Sequence, residues 1–414
     1  MSFVINGRRR LCGDIHIHGA KNSVLPIMAA TLMCNSKSVL HNCPALSDTE
    51  DMLKILSCFG CKVKIEGDTV EIDPTSANVI CHDRQIMQTM RSSVLLLGAM
   101  LTKFGTANVY YPGGCKLGPR PLDIHMDALR SMGISISQQQ EMYICSGKPQ
   151  GSEITLRFPS VGATENILLA AVCADGSTII NNAAREPEIT DLANFLIKCG
   201  AKIYGAGEKK ILVEGVPYLM GAEHTCIPDR IEAVTYMCAA AVTGGNLRLC
   251  GVKNEHLKAV IEKLSLCGCG ITSYDNEVVI SAYKRPCSPL SVQTGVYPQF
   301  PTDALPPFMA VCAVAKGVTV FNETIFEKRY RHVEQLCKMG AMISVNGQSA
   351  ICCGVESLHG ANVCATDLRG GASLVIAGLC AEGTTVISCT NHIDRGYENI
   401  EQSLSSVGAD IVRN

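Results

Sequence analysis

The 414-residue chain is short of the features that mark several large classes of protein. It has no excess of one charge: 36 Lys and Arg stand against 38 Asp and Glu, a net charge of -2. No electrostatic drive toward nucleic acid or an anionic membrane follows from that balance. Small basic clusters such as Arg8-Arg9-Arg10 read as solvated surface. No apolar run is long enough to span a bilayer, and the opening MSFVINGRRRLCGD has no apolar core of a secretory signal. The expected location is the cytoplasm. No G-x-G-x-x-G follows a strand pattern and no Walker A loop occurs, so dinucleotide and P-loop readings lack support. Cys58 and Cys61 form a C-x-x-C with no second pair at zinc-finger spacing, which reads as a helix end and not as a metal site.

What is present is a soluble composition, 47% hydrophobic and 18% charged, long enough for two or three domains and a large core. Cysteine is abundant at 23 residues. Odd parity and irregular spacing argue against a disulfide framework, and a reducing compartment leaves thiols unpaired. Most, such as Cys173, Cys238 and Cys312, lie in apolar stretches where cysteine acts as a small hydrophobe.

Self-similarity organises the chain. The pattern L-x-x-x-G-x-x-[VI] occurs at Leu56-Gly60-Val63, Leu129-Gly133-Ile136, Leu196-Gly200-Ile203, Leu264-Gly268-Ile271, Leu336-Gly340-Ile343 and Leu404-Gly408-Ile411. Successive glycines are 73, 67, 68, 72 and 68 residues apart. Upstream of each glycine lies an apolar segment of small residues, for example ATENILLAAVCA or DALPPFMAVCAVA, whose lack of a polar face predicts a helix buried all round. A β-rich segment follows, then an amphipathic helix that the glycine ends as a C-cap, then two strands. Six such α/β units, three and three, predict two similar domains, with ligands in the cleft between them.

Four segments outside the apolar runs carry the plausible chemistry. HGAKNSVLP places Lys21 and Asn22 at a helix start, where a lysine is ordinarily solvated. YYPGGCKLGPRPLD places Cys115 beside Lys116 and Arg120, cations that lower a thiol pKa, with glycines that let the loop approach a ligand. QFPTDALPPF places Asp303 at a helix start, ordinarily an N-cap. ATDLRGG and HIDRGYE supply Asp367, Arg369 and Arg395, by default surface ion pairs. Arg91 opens a buried helix, where a cation opposes the helix dipole unless it holds an anion. Together they suggest an anionic substrate held by Lys21, Arg91, Arg120 and Arg395, with a thiol and a carboxylate as acid and base.

In this order the motifs GAKN (19–22), MRSS (90–93), PGGCKLGPRPLD (112–123), PSVGATEN (159–166), AAREPEI (183–189), PDRIEA (228–233), FPTD (300–303), ATDLR (365–369) and HIDRGYE (392–398) resemble the enolpyruvyl transferases. PGGC and HIDRGYE look like the branch that acts on a nucleotide sugar. The resemblance implies two inside-out α/β barrels of three repeats each. One domain would span 21–228 and carry the loop 112–121; the other would combine 1–20 with 229–414. It implies transfer of the enolpyruvyl group of phosphoenolpyruvate to the 3-hydroxyl of UDP-N-acetylglucosamine, with release of phosphate and no metal or organic cofactor, at the start of peptidoglycan synthesis. Cys115 would be the general acid, and the thiol alkylated by fosfomycin, and Asp303 the base. Lys21, Asn22 and Arg395 would hold phosphoenolpyruvate. Arg91, Arg120, Pro121, Leu122, Asp123, Ser160, Val161, Gly162 and Ile325 would line the nucleotide-sugar side, and Asp367 and Arg369 would support the closed cleft.

Three departures stand out. Lysines that some members carry before SVGAT and before the first repeat's D-x-x are absent from RFPSVGAT and ALSDTE, so diphosphate contacts inferred from them do not carry over. Lys116 and Pro119 occupy loop positions where many members have alanine. The rival acceptor, shikimate 3-phosphate, is disfavoured by PGGC and the nucleotide-sugar motifs. A binding-only paralogue is disfavoured by the full set of chemical residues.

Overall fold

A computed structural model describes residues 1–78, 94–110, 122–139 and 142–414. The chain forms two compact α/β units. The middle unit is built from described residues of 19–227, and the terminal unit from 1–18 and 228–414.

The middle unit holds helices α1 (Lys21–Thr31), α2 (Ser47–Cys58), α3 (Leu96–Phe104), α4 (Asp123–Ser131), α5 (Val161–Ala171) and α6 (Pro187–Lys198). The terminal unit holds α7 (Arg230–Thr243), α8 (Lys258–Leu266), α9 (Leu305–Val314), α10 (Val333–Lys338), α11 (Leu368–Cys380) and α12 (Ile400–Ser406). Odd-numbered helices are the inner ones. Every residue of α9 is buried, as is every residue of α5 from Ala163 onward. In the terminal unit α7, α9 and α11 pack pairwise. Small residues permit this closeness. A Cβ added at Gly98 of α3 would lie 2.4 Å from the carbonyl oxygen of Asn166 on α5, so the two backbones touch there.

The repeat pattern has a backbone cause. All six repeat glycines are left-handed, with φ between +82° (Gly133) and +104° (Gly200 and Gly408). In each copy the residue after the glycine donates its N–H to the carbonyl of the repeat leucine, as Cys61 does to Leu56 at 3.0 Å and Ala201 to Leu196 at 2.9 Å. The glycine itself donates three residues back, Gly60 to Ser57 at 2.9 Å. These two bonds are the Schellman closure of a helix C-terminus, which needs a residue without a Cβ at that position.

Five sheets have four strands, and one has three among the described residues. In the four-stranded sheets a short leading strand runs parallel to the strand after the inner helix, and two antiparallel strands complete the sheet, a hairpin in four of them and Ser2–Asn6 with Asp410–Arg413 in the fifth. Thus Glu153–Thr155 pairs with Ser177–Asn181, which pairs with Lys210–Glu214, which pairs with Lys202–Tyr204. The leading strand is an element the sequence reading left out. Alternate residues of the central strands are buried against the inner helices, as the pleat requires. The sheets stay separate. Discrete sheets are arranged around the buried helices, with no closed β-barrel among the described residues, which is the inside-out α/β arrangement the sequence predicts.

The chain passes between the units at 18–19 and 227–228. Strand Cys12–His16 leads into α1 in sequence but pairs with Asn246–Cys250 of the terminal unit. Strand Glu223–Thr225 leads into α7 but pairs with Ser38–His41 of the middle unit. Ser2–Asn6 lies between Thr384–Ser388 and Asp410–Arg413. Among the described residues no helix is long and apolar enough to cross a membrane, and no group of three metal-ligating side chains assembles. The described cysteines are thiols except Cys58, which ends α2 as read but is disulfide-bonded, a departure from the expectation of unpaired thiols.

Candidate active site

In the terminal unit, the FPTD segment is held from below by Phe300, buried edge-on against Phe308 at 5.4 Å. The backbone then makes one 3-10 turn, Thr302–Ala304, before α9. Asp303 caps neither element. Its carboxylate is instead gripped on both oxygens: Nη2 of Arg329 donates to Oδ1 at 3.0 Å, and Nε of Arg369 to Oδ2 at 3.2 Å. The side chain keeps 29% of its surface open, while both arginines are fully buried. Arg329 also donates from Nε and Nη2 to the carbonyl of Thr302, at 3.0 and 2.8 Å. One guanidinium therefore fixes the backbone and the carboxylate of adjacent residues.

The Ile325 turn is joined to the same place by Glu323. This buried carboxylate accepts the N–H groups of Ile325 and Phe326 at 2.7 and 3.0 Å, and the hydroxyl of Thr302 at 2.8 Å. The Phe326 ring lies 5.8 Å from the Arg329 guanidinium. Asp367 caps α11, accepting from Gly370 N at 3.0 Å, which sets Arg369 in the first turn. Arg369 stacks over the buried ring of Tyr397 at 5.3 Å, and the Tyr397 hydroxyl bonds Thr235 on α7 at 2.8 Å. Nη1 of Arg369 is buried without a hydrogen bond to any described group. Beneath the cluster His332 is buried, its Nδ1 donating to the Arg329 carbonyl at 3.2 Å. Burial, opposed by Asp367 and aided by Arg329, pulls its pKa down to about 4, so the ring is neutral near pH 7. Arg395 is half-buried in the HIDRGYE turn.

In the middle unit Lys21 is the first residue of α1, and it is buried where a solvated lysine was expected. A cation there opposes the helix dipole. Asp48, equally buried, compensates by accepting from Nζ at 3.1 Å. Asn22 is exposed beside it. Ser23 donates to Asp191 at 2.5 Å, and Asp191 also accepts from Ile227 N at 3.1 Å and bonds His224 at 3.0 Å.

A second group in this unit gathers Leu122, Asp123, Ser160, Val161 and Gly162. Ser160 caps α5 through Ala163 N at 3.3 Å. A Cβ at Gly162 would come within 3.1 Å of the His125 ring. That ring is in turn bonded by Asn166 at 3.1 Å. Asp123 starts α4 and pairs with Arg157. Desolvation works against the Asp123 charge, but the Arg157 hydrogen bond and charge together with backbone N–H donors outweigh it and hold the carboxyl below its ordinary range.

Asp303, Ile325, Asp367 and Arg369 are thus brought into one network, and Leu122, Asp123 and Ser160 to Gly162 into another. Arg91, Cys115, Arg120 and Pro121 lie outside the described residues. Glu323, Arg329, His332, Tyr397, Asp48, Arg157 and His125 escaped the sequence reading. Tyr397 lies in HIDRGYE, and Arg157 and Asp48 lie in the two stretches that depart from the family pattern, RFPSVGAT and ALSDTE.

The signature of the EPSP synthase (3-phosphoshikimate 1-carboxyvinyltransferase) family matches residues 5–404. The chain belongs to this family of enolpyruvyl transferases. It is 48% identical over 412 residues, 99% of each chain, to UDP-N-acetylglucosamine 1-carboxyvinyltransferase 2 of Caldanaerobacter subterraneus subsp. tengcongensis. It is 44% identical over 414 residues, again 99% of each, to UDP-N-acetylglucosamine 1-carboxyvinyltransferase of Pseudoalteromonas atlantica. Among solved structures, the enolpyruvyl transferase NikO from Streptomyces tendae matches with a TM-score of 0.90 at 24% identity, over 100% of this chain and 98% of that one. EPSP synthase from Acinetobacter baumannii matches with a TM-score of 0.79 at 19% identity over 100% of both. At those identities the structural likeness establishes the enolpyruvyl transferase fold and nothing finer.

Proposed function

We propose that the chain transfers the enolpyruvyl group of phosphoenolpyruvate to the 3-hydroxyl of UDP-N-acetylglucosamine, releasing phosphate, at the entry to peptidoglycan synthesis. The observation that carries this reading is the Asp303 carboxylate, fixed on both oxygens by Arg329 and Arg369 yet open on one side. A carboxylate so oriented can take the proton of a hydroxyl placed against its open face. The names of relatives 44–48% identical over the whole chain point to the same acceptor.

In this reading the acceptor hydroxyl loses its proton to Asp303 as it attacks C2 of phosphoenolpyruvate, and Cys115 protonates C3. A tetrahedral adduct results, and loss of a proton and of phosphate then regenerates the vinyl ether. Lys21, Asn22 and Arg395 hold the phosphate and carboxylate of phosphoenolpyruvate. Asp48 accepts from Nζ of Lys21 and holds that side chain in place. Arg91, Arg120, Pro121, Leu122, Asp123, Ser160, Val161, Gly162 and Ile325 line the nucleotide-sugar side. Asp367 orients Arg369, and Arg369 orients Asp303.

The family signature bears the name of the shikimate 3-phosphate enzyme, so the assay has two arms. Phosphate release from phosphoenolpyruvate is measured with UDP-N-acetylglucosamine or with shikimate 3-phosphate as acceptor. Release dependent on the sugar nucleotide alone is the expected result. Release with shikimate 3-phosphate alone, or with neither, overturns the proposal.

A further inference from the structure

Cys364 and Cys389 bring two thiols into contact near the surface. Cys364 ends the strand Asn362–Cys364, and Cys389 directly follows the strand Thr384–Ser388, which runs parallel to it. Their Sγ atoms are 3.0 Å apart, with Cys389 exposed and Cys364 half-buried. A disulfide requires about 2.05 Å, so closure needs a movement of only about 1 Å. Two further features fit a built pair. Cys389 adopts a left-handed backbone, φ +62°, unusual for a side chain other than glycine or asparagine. The strand ends are pinned on both sides, with Ala365 N donating to the Ser388 carbonyl at 3.0 Å and Cys364 N to Gln335 at 3.1 Å, so the sulfurs are held where they are. Two other neighbouring pairs, Cys34 with Cys199 at 3.9 Å and Cys43 with Cys226, are buried, out of reach of a solvent-borne oxidant.

We propose that Cys364 and Cys389 form a reversible dithiol–disulfide site that reacts with low-molecular-weight disulfides. The thiolate of exposed Cys389 attacks a small disulfide RSSR, forming a mixed disulfide and releasing one RSH. The Cys364 thiolate then displaces the second RSH. The protein loses two electrons and two protons, RSSR gains them, and the net products are one protein disulfide and two RSH. Both steps are nucleophilic displacements that require access and alignment. Exposure supplies the first at Cys389, and the 3.0 Å contact supplies the second at Cys364.

The bond would join two segments that lead to named groups. Cys364 lies three residues before Asp367, and Cys389 six residues before Arg395. The site itself rests on thiol geometry alone and does not depend on the proposed enzymatic activity.

The test uses the full chain, fully reduced, then exposed to oxidised glutathione, quenched with acid, alkylated and mapped by peptide mass. The expected product is a cross-link between the Cys364 and Cys389 peptides, lighter by two hydrogens than the reduced pair and reversed by dithiothreitol. In Cys364→Ser the reaction should stop one step earlier, with one glutathione retained on Cys389. The wild-type map decides the matter even if a variant folds poorly. Glutathione accumulating on wild-type Cys389 without the cross-link overturns the proposal, as does the absence of modification at both positions.

Discussion

Arg369, the second residue of one buried helix, holds Asp303 at the entry to another through a 3.2 Å bond from Nε to Oδ2. This ion pair orients a carboxylate whose other oxygen is already taken by Arg329. Replacing Asp303 by Asn keeps the shape and removes the base. Turnover of Asp303→Asn should fall by about two to four orders of magnitude, the usual span for general acid–base loss. Sugar-nucleotide affinity, read by calorimetry, should change little. Near-normal turnover in the folded variant would remove Asp303 from the chemistry.

Arg329 carries more of the architecture. Its guanidinium is fully buried and makes three hydrogen bonds, two to Thr302 O and one to Asp303. In Arg329→Met the Thr302 carbonyl loses both bonds from the guanidinium, and Asp303 keeps only Arg369 of its two arginines. The expected loss of stability is about 3–5 kcal/mol, the range for breaking a buried charge pair on one side. Urea unfolding followed by circular dichroism measures it, and a loss below about 1 kcal/mol would mean that water replaces the arginine.

The neutral His332 beneath this cluster makes stability depend on pH. Its folded pKa, about 4, lies below the 6.5 of an ordinary imidazole. The unfolded chain therefore takes up a proton first as pH falls. The contribution is complete above 6.5 and is lost progressively toward 4, at up to about 1.4 kcal/mol per pH unit. Comparing unfolding of wild type and His332→Gln at pH 7.5 and pH 5 isolates the effect. The variant should show the shallower dependence, and equal slopes would contradict a neutral buried ring.

Fosfomycin should modify Cys115 and spare the buried thiols. Burial pushes Cys61, Cys145, Cys173 and Cys269 up to about 11, and Cys267, Cys352 and Cys380 up to about 12. At pH 7.5 almost none of these is thiolate, the form that reacts. Peptide mapping after a short exposure should find one adduct, formed faster with UDP-N-acetylglucosamine and slower with phosphoenolpyruvate. Adducts spread over several cysteines would show that reactivity does not follow thiolate character.

The sixfold organisation was legible because it is a local matter. Leucine and glycine at fixed spacing encode the two Schellman bonds, and an all-apolar helix can only be an inner one. Asp303, Asp367 and Arg369 were legible only through motif resemblance, since an aspartate at a helix start looks like any N-cap. Arg329 and His332 were not legible at all. They lie in FEKRYRH, a charged stretch that reads as surface, and only the tertiary fold turns these two inward. Likewise nothing local in ALSDTE says that Asp48 will meet Lys21, 27 residues away. The pairing of the short leading strands also depends on partners distant in sequence.

The double passage of the chain imposes a timetable on synthesis. All strands of the middle unit come from 19–227, so that unit has its partners before the second half of the protein exists. The first eighteen residues do not. Cys12–His16 must wait for Asn246–Cys250, and Ser2–Asn6 for strands ending at Ser388 and Arg413. During translation the leading segment is an unpaired edge held in reserve, with the hazards of exposed strands. A ribosome that stops before Thr384 releases a protein whose opening strand has neither of its two partners, and one that stops before Asp410 leaves one of its edges uncovered.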